Sequence, residues 1–462
     1  MQTVEKDVVV AGGGMAGVMA AIAAARNGAR TLLMDRLTFL GGNLTAGLLG
    51  NILTFHNMKG EQICNGIPQE FVDECIKYGG CFPDNRGHLL NPYGNAYTVT
   101  PVDGEVAKLV AQRMCVQAGV ELCLNAYSLG PIMHGKRVTG VRLADKSGER
   151  EVRAKVVIDA TGDADLVAAA GGPVLQGDEM GRTMSISLFF RLGGVNLARH
   201  LEHVKSHPDQ FMLGEDPFVG KTRAQIAARL KSWKDFPLIT GYYDAVREAK
   251  AKGEFHKNRE RVVFSITTTP SVVTVNATSI LGLNPTSGDD LTKAALEGRE
   301  QIYTVTDFFR KYAPGFEDAF VLDSAAALGV RESRRIVGEE TLTTQACVEG
   351  RKSDTDIGRG AYCLDVHQAS GKIEHKHVDG GESYGIPYGT MIPKEIDGIL
   401  VAGRALSSER FANGSVRVQA HIMAVGQAAG TAAAMCIAGN HMPREVLISS
   451  LRDRLRGDGA VV

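Results

Sequence analysis

Lys6-Asp7-Val8-Val9-Val10-Ala11-Gly12-Gly13-Gly14-Met15-Ala16-Gly17 opens the architecture of this chain. The Val-rich run reads as a buried strand, and it passes without a linker into glycines spaced GxGxxG. Each glycine has its own task. Gly12 permits a tight turn, Gly14 lets the backbone approach a pyrophosphate, and Gly17 lets the next helix lie close to the strand. Residues 16–27 form a small-residue helix stopped by Gly28, and Thr31-Leu32-Leu33-Met34-Asp35 is a second strand ending on an acid. The two strands and the helix make one βαβ unit. The helix start offers unpaired N–H groups and the positive end of its dipole to phosphate. Asp35 stands where a carboxylate can bond ribose hydroxyls.

Outward from this unit, residues 106–118 read as an amphipathic helix and 120–124 as a strand. Residues 138–143 and 151–154 flank Lys146-Ser147-Gly148 as a hairpin, and 156–159 and 398–402 read as further buried strands. Residues 422–437 form a long helix. The middle differs in texture: 197–257 is polar and helical and carries the only tryptophan, Trp233, whereas 261–280 alternates as a β segment and 291–312 is helical. No internal repeat or low-complexity linker separates these parts, so one domain is expected from both chain ends with another inserted between.

With 462 residues, 44% of them apolar, the chain can bury large cores in two or three domains, which excludes disorder and coiled coil. A net charge of −1 provides no general attraction to nucleic acid or anionic lipid. The 54 glycines exceed the usual share of about 7% and suit a protein with many close backbone approaches. None of the eight cysteines (64, 75, 81, 115, 123, 347, 363, 436) is spaced CxxC, so neither a dithiol redox pair nor a zinc knuckle is expected. Scattered thiols, and a start without the basic and apolar regions of a signal peptide, suggest the cytoplasm. Residues 422–439 are apolar, but Gln427 and the glycines favour a buried helix over a membrane span. Neither a nucleic-acid nor a membrane partner is expected; homo-oligomerisation is left open.

Further motifs recur along the chain: Leu40-Gly41-Gly42-Asn43, Ile158-Asp159-Ala160-Thr161-Gly162-Asp163, Gly329-Val330-Arg331-Glu332-Ser333-Arg334-Arg335, Ile386-Pro387-Tyr388, Val401-Ala402-Gly403-Arg404 and Gly414-Ser415-Val416-Arg417-Val418. With the small-residue run from Gly426, they resemble the FAD-dependent oxidoreductases that carry a glutathione-reductase-type FAD domain, nearest to a broad bacterial subgroup. The resemblance implies an α/β fold: a three-layer FAD/NAD(P)-binding (Rossmann-like) domain from 1–50, 100–190 and 390–462. It also implies an active-site or cap segment at 51–99, and an inserted mixed β-sheet and helix substrate domain over 191–389. FAD is the implied cofactor. Gly12, Gly14, Met15 and Ala16 would cradle its pyrophosphate and Asp35 its adenosine ribose. Arg36, Gly42 and Asn43 would lie along the ADP and ribityl part, and Ala126 would present backbone to the adenine. Thr161, Gly162 and Asp163 would close the ADP side. Gly403 and Arg404 would sit by the ribityl chain, although many such proteins carry Gly-Asp there. The helix entered near Gln419 would aim its N-terminus at the flavin N1–C2=O edge.

A second GxGxxG unit is missing, so a built-in NAD(P)H domain is not expected. Hydride transfer to flavin needs a C–H bond held over N5 and a base for the accompanying proton. His421, at the start of the last long helix, is the first candidate, followed by His56 and by Tyr388 with its neighbour Tyr384. Arg331 and Arg410, from two arginine clusters, are candidates to hold a substrate carboxylate. His200, His203 and His207 share a helical face but read as solvated, and no metal is expected. Gly426 and Gly430 are read as close packing of a helix against the sheet, not as a dimerisation motif. The expected activity is hydride transfer between a small polar metabolite and flavin N5, in either direction. The alternatives are a flavin monooxygenase and a non-catalytic flavoprotein or electron-transfer subunit.

Overall fold

The structure, a computed structural model, describes residues 2–91, 95–214, 220–367 and 373–462. Six strands, β1 (Gln2–Ala11), β2 (Thr31–Asp35), β3 (Glu121–Leu124), β4 (Tyr127–His134), β5 (Arg137–Asp145) and β6 (Gly148–Asp159), pair in the order β3-β2-β1-β6-β5-β4. β1 is parallel to both β2 and β6. The segments read separately at 151–154 and 156–159 are one strand, β6, which serves two neighbours on the side away from β1. Its first half pairs antiparallel with β5, while Val157, Ile158 and Asp159 pair parallel with the strand Ile399–Val401. The parallel strands therefore end at one edge. That edge gathers the turns after Ala11, Asp35, Asp159 and Val401, which is where open α/β sheets bind ligands.

Two helices cover one face, α1 (Met15–Arg26) and α2 (Gln419–Gly439). Both are apolar all round, as helices buried on every side must be. A Cβ on Gly426 would lie 2.2 Å from the Ala16 carbonyl oxygen, and one on Gly430 would lie 2.0 Å from that of Ala20. The small-residue stripe thus packs on α1 rather than directly on the sheet, correcting the sequence expectation. By length and composition α2 could cross a membrane, yet most of it is buried in this core.

A second sheet is antiparallel and holds β7 (Phe190–Gly193), β8 (Leu238–Gly241), β9 (Val262–Ile266), β10 (Val273–Val275) and β11 (Phe320–Ser324), in the order β8-β9-β10-β7-β11. Helix Gly288–Tyr312 sends Ile302, Val305, Phe308 and Phe309 into a core shared with Phe264 and Phe316. His200 is buried in that core, with Nδ1 2.9 Å from the Tyr242 hydroxyl. The histidine face of helix Leu197–Ser206 thus points inward at His200, against the solvated reading, because an aromatic cluster claims it. A hairpin of β12 (Leu364–His367) and β13 (Ile373–Lys376) completes the elements needed below.

Gly430→Val should destabilise the fold by about 1–3 kcal/mol or more, because the new side chain meets backbone that cannot swing aside. Urea unfolding of the two proteins checks this, and an unchanged midpoint would contradict the packing described.

Candidate functional site

The glycine turn is closed at Gly12 and at Gly17. A Cβ on Gly12, whose φ is +111°, would lie 2.3 Å from the Ala160 oxygen, and one on Gly17 would lie 1.9 Å from the Gly12 oxygen. Gly14 differs: a Cβ there would meet nothing within 4 Å. The turn therefore keeps one open face, at the start of α1. Gly41 N–H donates to the Gly13 oxygen at 2.8 Å, and Gly42 lies so near Gly14 that a Cβ would come within 2.8 Å of its Cα. The segment bearing Gly42 and Asn43 thus flanks the same opening.

Asp35 accepts from Gly13 N–H at 2.5 Å and from Leu37 N–H at 2.7 Å. Burial raises its pKa, and these two donors work against that rise. Each carboxylate oxygen keeps a further lone pair for a ligand. Arg36 beside it is exposed. Ala126 N–H is already spent on the Asp35 carbonyl at 2.9 Å, so only its carbonyl remains for an adenine.

Asp159 organises the next turn, a role sequence reading did not assign. One of its buried oxygens accepts from Thr161 N–H and Oγ1, at 3.1 and 2.7 Å, and the other from Leu166 and Val167 N–H, at 2.9 and 3.2 Å. Gly162, at φ +84°, then brings the chain beside Arg404, whose guanidinium pairs with Asp163. Arg404 Nε and Gln419 Oε1 are buried with no partner among the described residues. An open glycine cradle, unfilled first-turn N–H groups and these two orphaned polar atoms fit a long, polyanionic cofactor laid along the strand ends.

The catalytic candidates are placed differently from expectation. His421 is fully buried, with Nδ1 3.2 Å from the Ser415 oxygen and Nε2 accepting from Ala361 N–H at 3.3 Å. Burial pushes its pKa down to about 4. Both nitrogens are committed to backbone, so the ring positions the start of α2 and is not poised as a base. The buried Tyr388 hydroxyl donates to the Pro443 oxygen at 2.7 Å, and Tyr384 bonds Ser415 Oγ at 2.6 Å. Half-buried His56 rests on Thr98 Oγ1 at 3.2 Å, edge-on to His88. Arg410 Nε reaches both oxygens of Glu332 at 3.2 Å, and Glu332, fully buried, also holds Arg335 at 2.7 Å. A buried carboxylate demands such compensation, which corrects the reading of Arg410 as a substrate ligand.

The described residues instead enclose a cavity of about 120 Å³ between β9 and β10 and the β12–β13 hairpin, lined by Asn51, Leu53, Arg259, Asn276, Tyr362, Asp365, His367 and His375 among others. Tyr362 belongs to a small cluster with Ala96 and Cys363 against which Leu53 and Val418, the residue that caps α2, both pack. Arg331 lies behind it, half-buried, holding Ser185 O, Ser187 Oγ and Asn276 Oδ1 at 3.0, 2.7 and 3.0 Å. Arg259 shares Asn276 Oδ1 at 3.3 Å, and its Nε is buried without a partner among the described residues. Burial lowers Arg331 to about 9 and Arg259 to about 10. Sequence reading missed Arg259, Asp365, His367 and His375. The signal for the last three is the alternation of Leu364-Asp365-Val366-His367 and Ile373-Glu374-His375 about Ser370-Gly371. Among the described residues, no group of three His, Cys, Asp or Glu is arranged to hold a metal ion.

The sequence profile of the FAD dependent oxidoreductase family matches residues 7–455, and the chain belongs to that family. It is an enzyme, an oxidoreductase whose cofactor is FAD. It is 31% identical over 187 residues to digeranylgeranylglycerophospholipid reductase 1 of Methanopyrus kandleri, covering 37% of this chain and 44% of that one. It is 30% identical over 191 residues to the NADH:fumarate oxidoreductase of Klebsiella pneumoniae, covering 34% and 20%. Each match spans less than half of the relative's own length. Among solved structures, the flavin-dependent brominase Bmp2 superposes with a TM-score of 0.51 at 15% identity, covering 98% of this chain and 84% of that one, a likeness of fold.

Gly14→Val should abolish bound FAD while leaving the fold intact, because the added side chain meets only the open face. The flavin absorbance of the purified variant, beside its far-UV circular dichroism, checks this. Stoichiometric flavin would contradict the cradle.

Proposed function

We propose that this enzyme transfers a hydride between a small acidic metabolite and FAD, on an FAD domain of the glutathione-reductase type. The observation that carries the reading is the polar cavity lined by buried Arg259, whose Nε has no partner among the described residues, and by Tyr362, a member of the small cluster against which Val418 at the start of α2 also packs. When bound, FAD supplies a two-electron acceptor or donor at its N5 position. The chain's own residues do the rest. Gly12, Gly14 and the start of α1 hold the pyrophosphate, Asp35 the ribose, and the first turn of α2 favours negative charge at the flavin edge. Arg259 receives a carboxylate in the cavity, and Arg331 braces it through their shared partner Asn276. Leu49, Leu53 and Phe189 supply apolar wall that orients the rest of the molecule and keeps water out. The same arrangement serves oxidation of a C–OH or C–N carbon and reduction of a C=C bond.

The test is anaerobic. Oxidised enzyme is mixed with hydroxy and amino acids and with their neutral analogues, and reduced enzyme with unsaturated acids. Flavin bleaching or recovery should occur only with compounds bearing a carboxylate. Equal response to neutral analogues would remove the acid specificity. Oxygen-dependent consumption of NADPH, with no direct flavin reduction by substrate, would put a monooxygenase in place of this reading. Arg259→Met should raise KM for the acid about 10- to 100-fold with a smaller change in kcat, the loss of one charge-assisted hydrogen bond.

A further inference from the structure

We propose that the cavity takes up its anionic ligand together with a proton, and that the proton enters the unit formed by His375, Asp365 and His367. The inference rests on the preceding reading of the cavity as the substrate chamber. Strand geometry builds the unit. Asp365 and His367 are two residues apart on β12, and His375 stands opposite Asp365 across the hairpin, so all three share the face that lines the cavity. His375 Nε2 lies 3.0 Å from one carboxylate oxygen of Asp365, and His367 Nε2 lies 3.3 Å from the other. In the neutral state each ring therefore donates through Nε2–H, leaving the Nδ1 lone pair as the site for an added proton.

The charges around the unit are unbalanced. Arg259 approaches from the turn before β9 and Arg331 from the segment after the strand Gly329–Val330, and Arg417, following helix Arg410–Val416, reaches the Asp365 carboxylate at 3.5 Å. Arg261 also lines the cavity, and Tyr362 lies near Arg331. Against these guanidinium groups the described lining offers one carboxylate, Asp365. Burial and the nearby arginines hold His367 down at about 3. Asp365 stays ionised despite its burial, because the two histidines hold its pKa well below the usual carboxylate range. Arg259 Nε and Arg417 Nε are buried with no partner among the described residues, so the excess positive charge has donors left to give.

An incoming carboxylate cancels part of the positive field that, with burial, keeps protons off His367. Asp365 is already in place to stabilise an imidazolium. Binding therefore favours an added proton on the unit, and the complex holds a proton that the free protein does not. By linkage, anion affinity falls as pH rises, by up to about tenfold per pH unit. The substrate thus arrives with a proton stored beside it, on groups that can also receive one.

Calorimetry of the FAD-loaded enzyme with acetate, malonate and succinate, at pH 7 in PIPES, HEPES and imidazole, measures the protons exchanged on binding. Wild type should take up about 0.5–1 proton per anion bound. Asp365→Asn, and the double variant His367→Gln with His375→Gln, should fall below about 0.2 proton while keeping affinity within about tenfold. Should Asp365→Asn not retain FAD, the double variant decides alone, since glutamine keeps a hydrogen bond to Asp365 but does not titrate. Binding without proton uptake in wild type, or uptake unchanged in the double variant, overturns this inference and leaves the acid-binding reading standing. Failure of every anion to bind overturns both.

Discussion

The contact between α1 and α2 governs the geometry of the cofactor end. Gly426 and Gly430 let α2 rest directly on the carbonyls of Ala16 and Ala20, so the helices run side by side in register without intervening side chains. Matched in this way, α2 begins six residues further toward its N-terminus than α1, an offset of about 9 Å at 1.5 Å per residue. Two positive dipole ends are thereby held at a set separation along one line. One lies at the open glycine turn and the other at Val418, beside the Ala96, Tyr362 and Cys363 cluster. Side chains between the helices would change that spacing, which is why this interface is built from glycine and alanine.

Around that contact the chain uses two kinds of polar fixture. Asp35, Asp159 and Asp163 shape turns at the strand ends through backbone amides and Arg404. Glu332, Arg335 and Arg410 form a buried ion triad that ties the 329–335 motif to the helix at 410. Buried triads of this kind add little net stability, but removing one member leaves a charge stranded, so they hold one arrangement against others.

The legible part of the sequence is the part set by local backbone demands. Gly12 at φ +111° and the βαβ spacing announce the cradle because no other residue type meets those conditions cheaply. Side-chain roles are less legible, because they depend on partners far along the chain. His421 is claimed by Ala361, Tyr388 by Pro443 and Arg410 by Glu332, separations of 60, 55 and 78 residues. None of these partners follows from the residue type alone. The histidine face at 200–207 is visible as a face, but its direction is decided by aromatic residues as distant as Phe264 and Phe316. Asp365, His367 and His375 lie between these cases: their alternation is local and legible, and only their nearness to Arg259 is not.

The double duty of β6 bears on how the molecule is made. Its second half waits for a strand that emerges about 240 residues later, and α1 waits still longer for α2. During synthesis at roughly 5–20 residues per second the apolar faces of β6 and α1 stay uncovered for tens of seconds while the inserted sheet folds. The sheet edge that bears the glycine turn is therefore completed only when the last strand and helix of the chain have emerged.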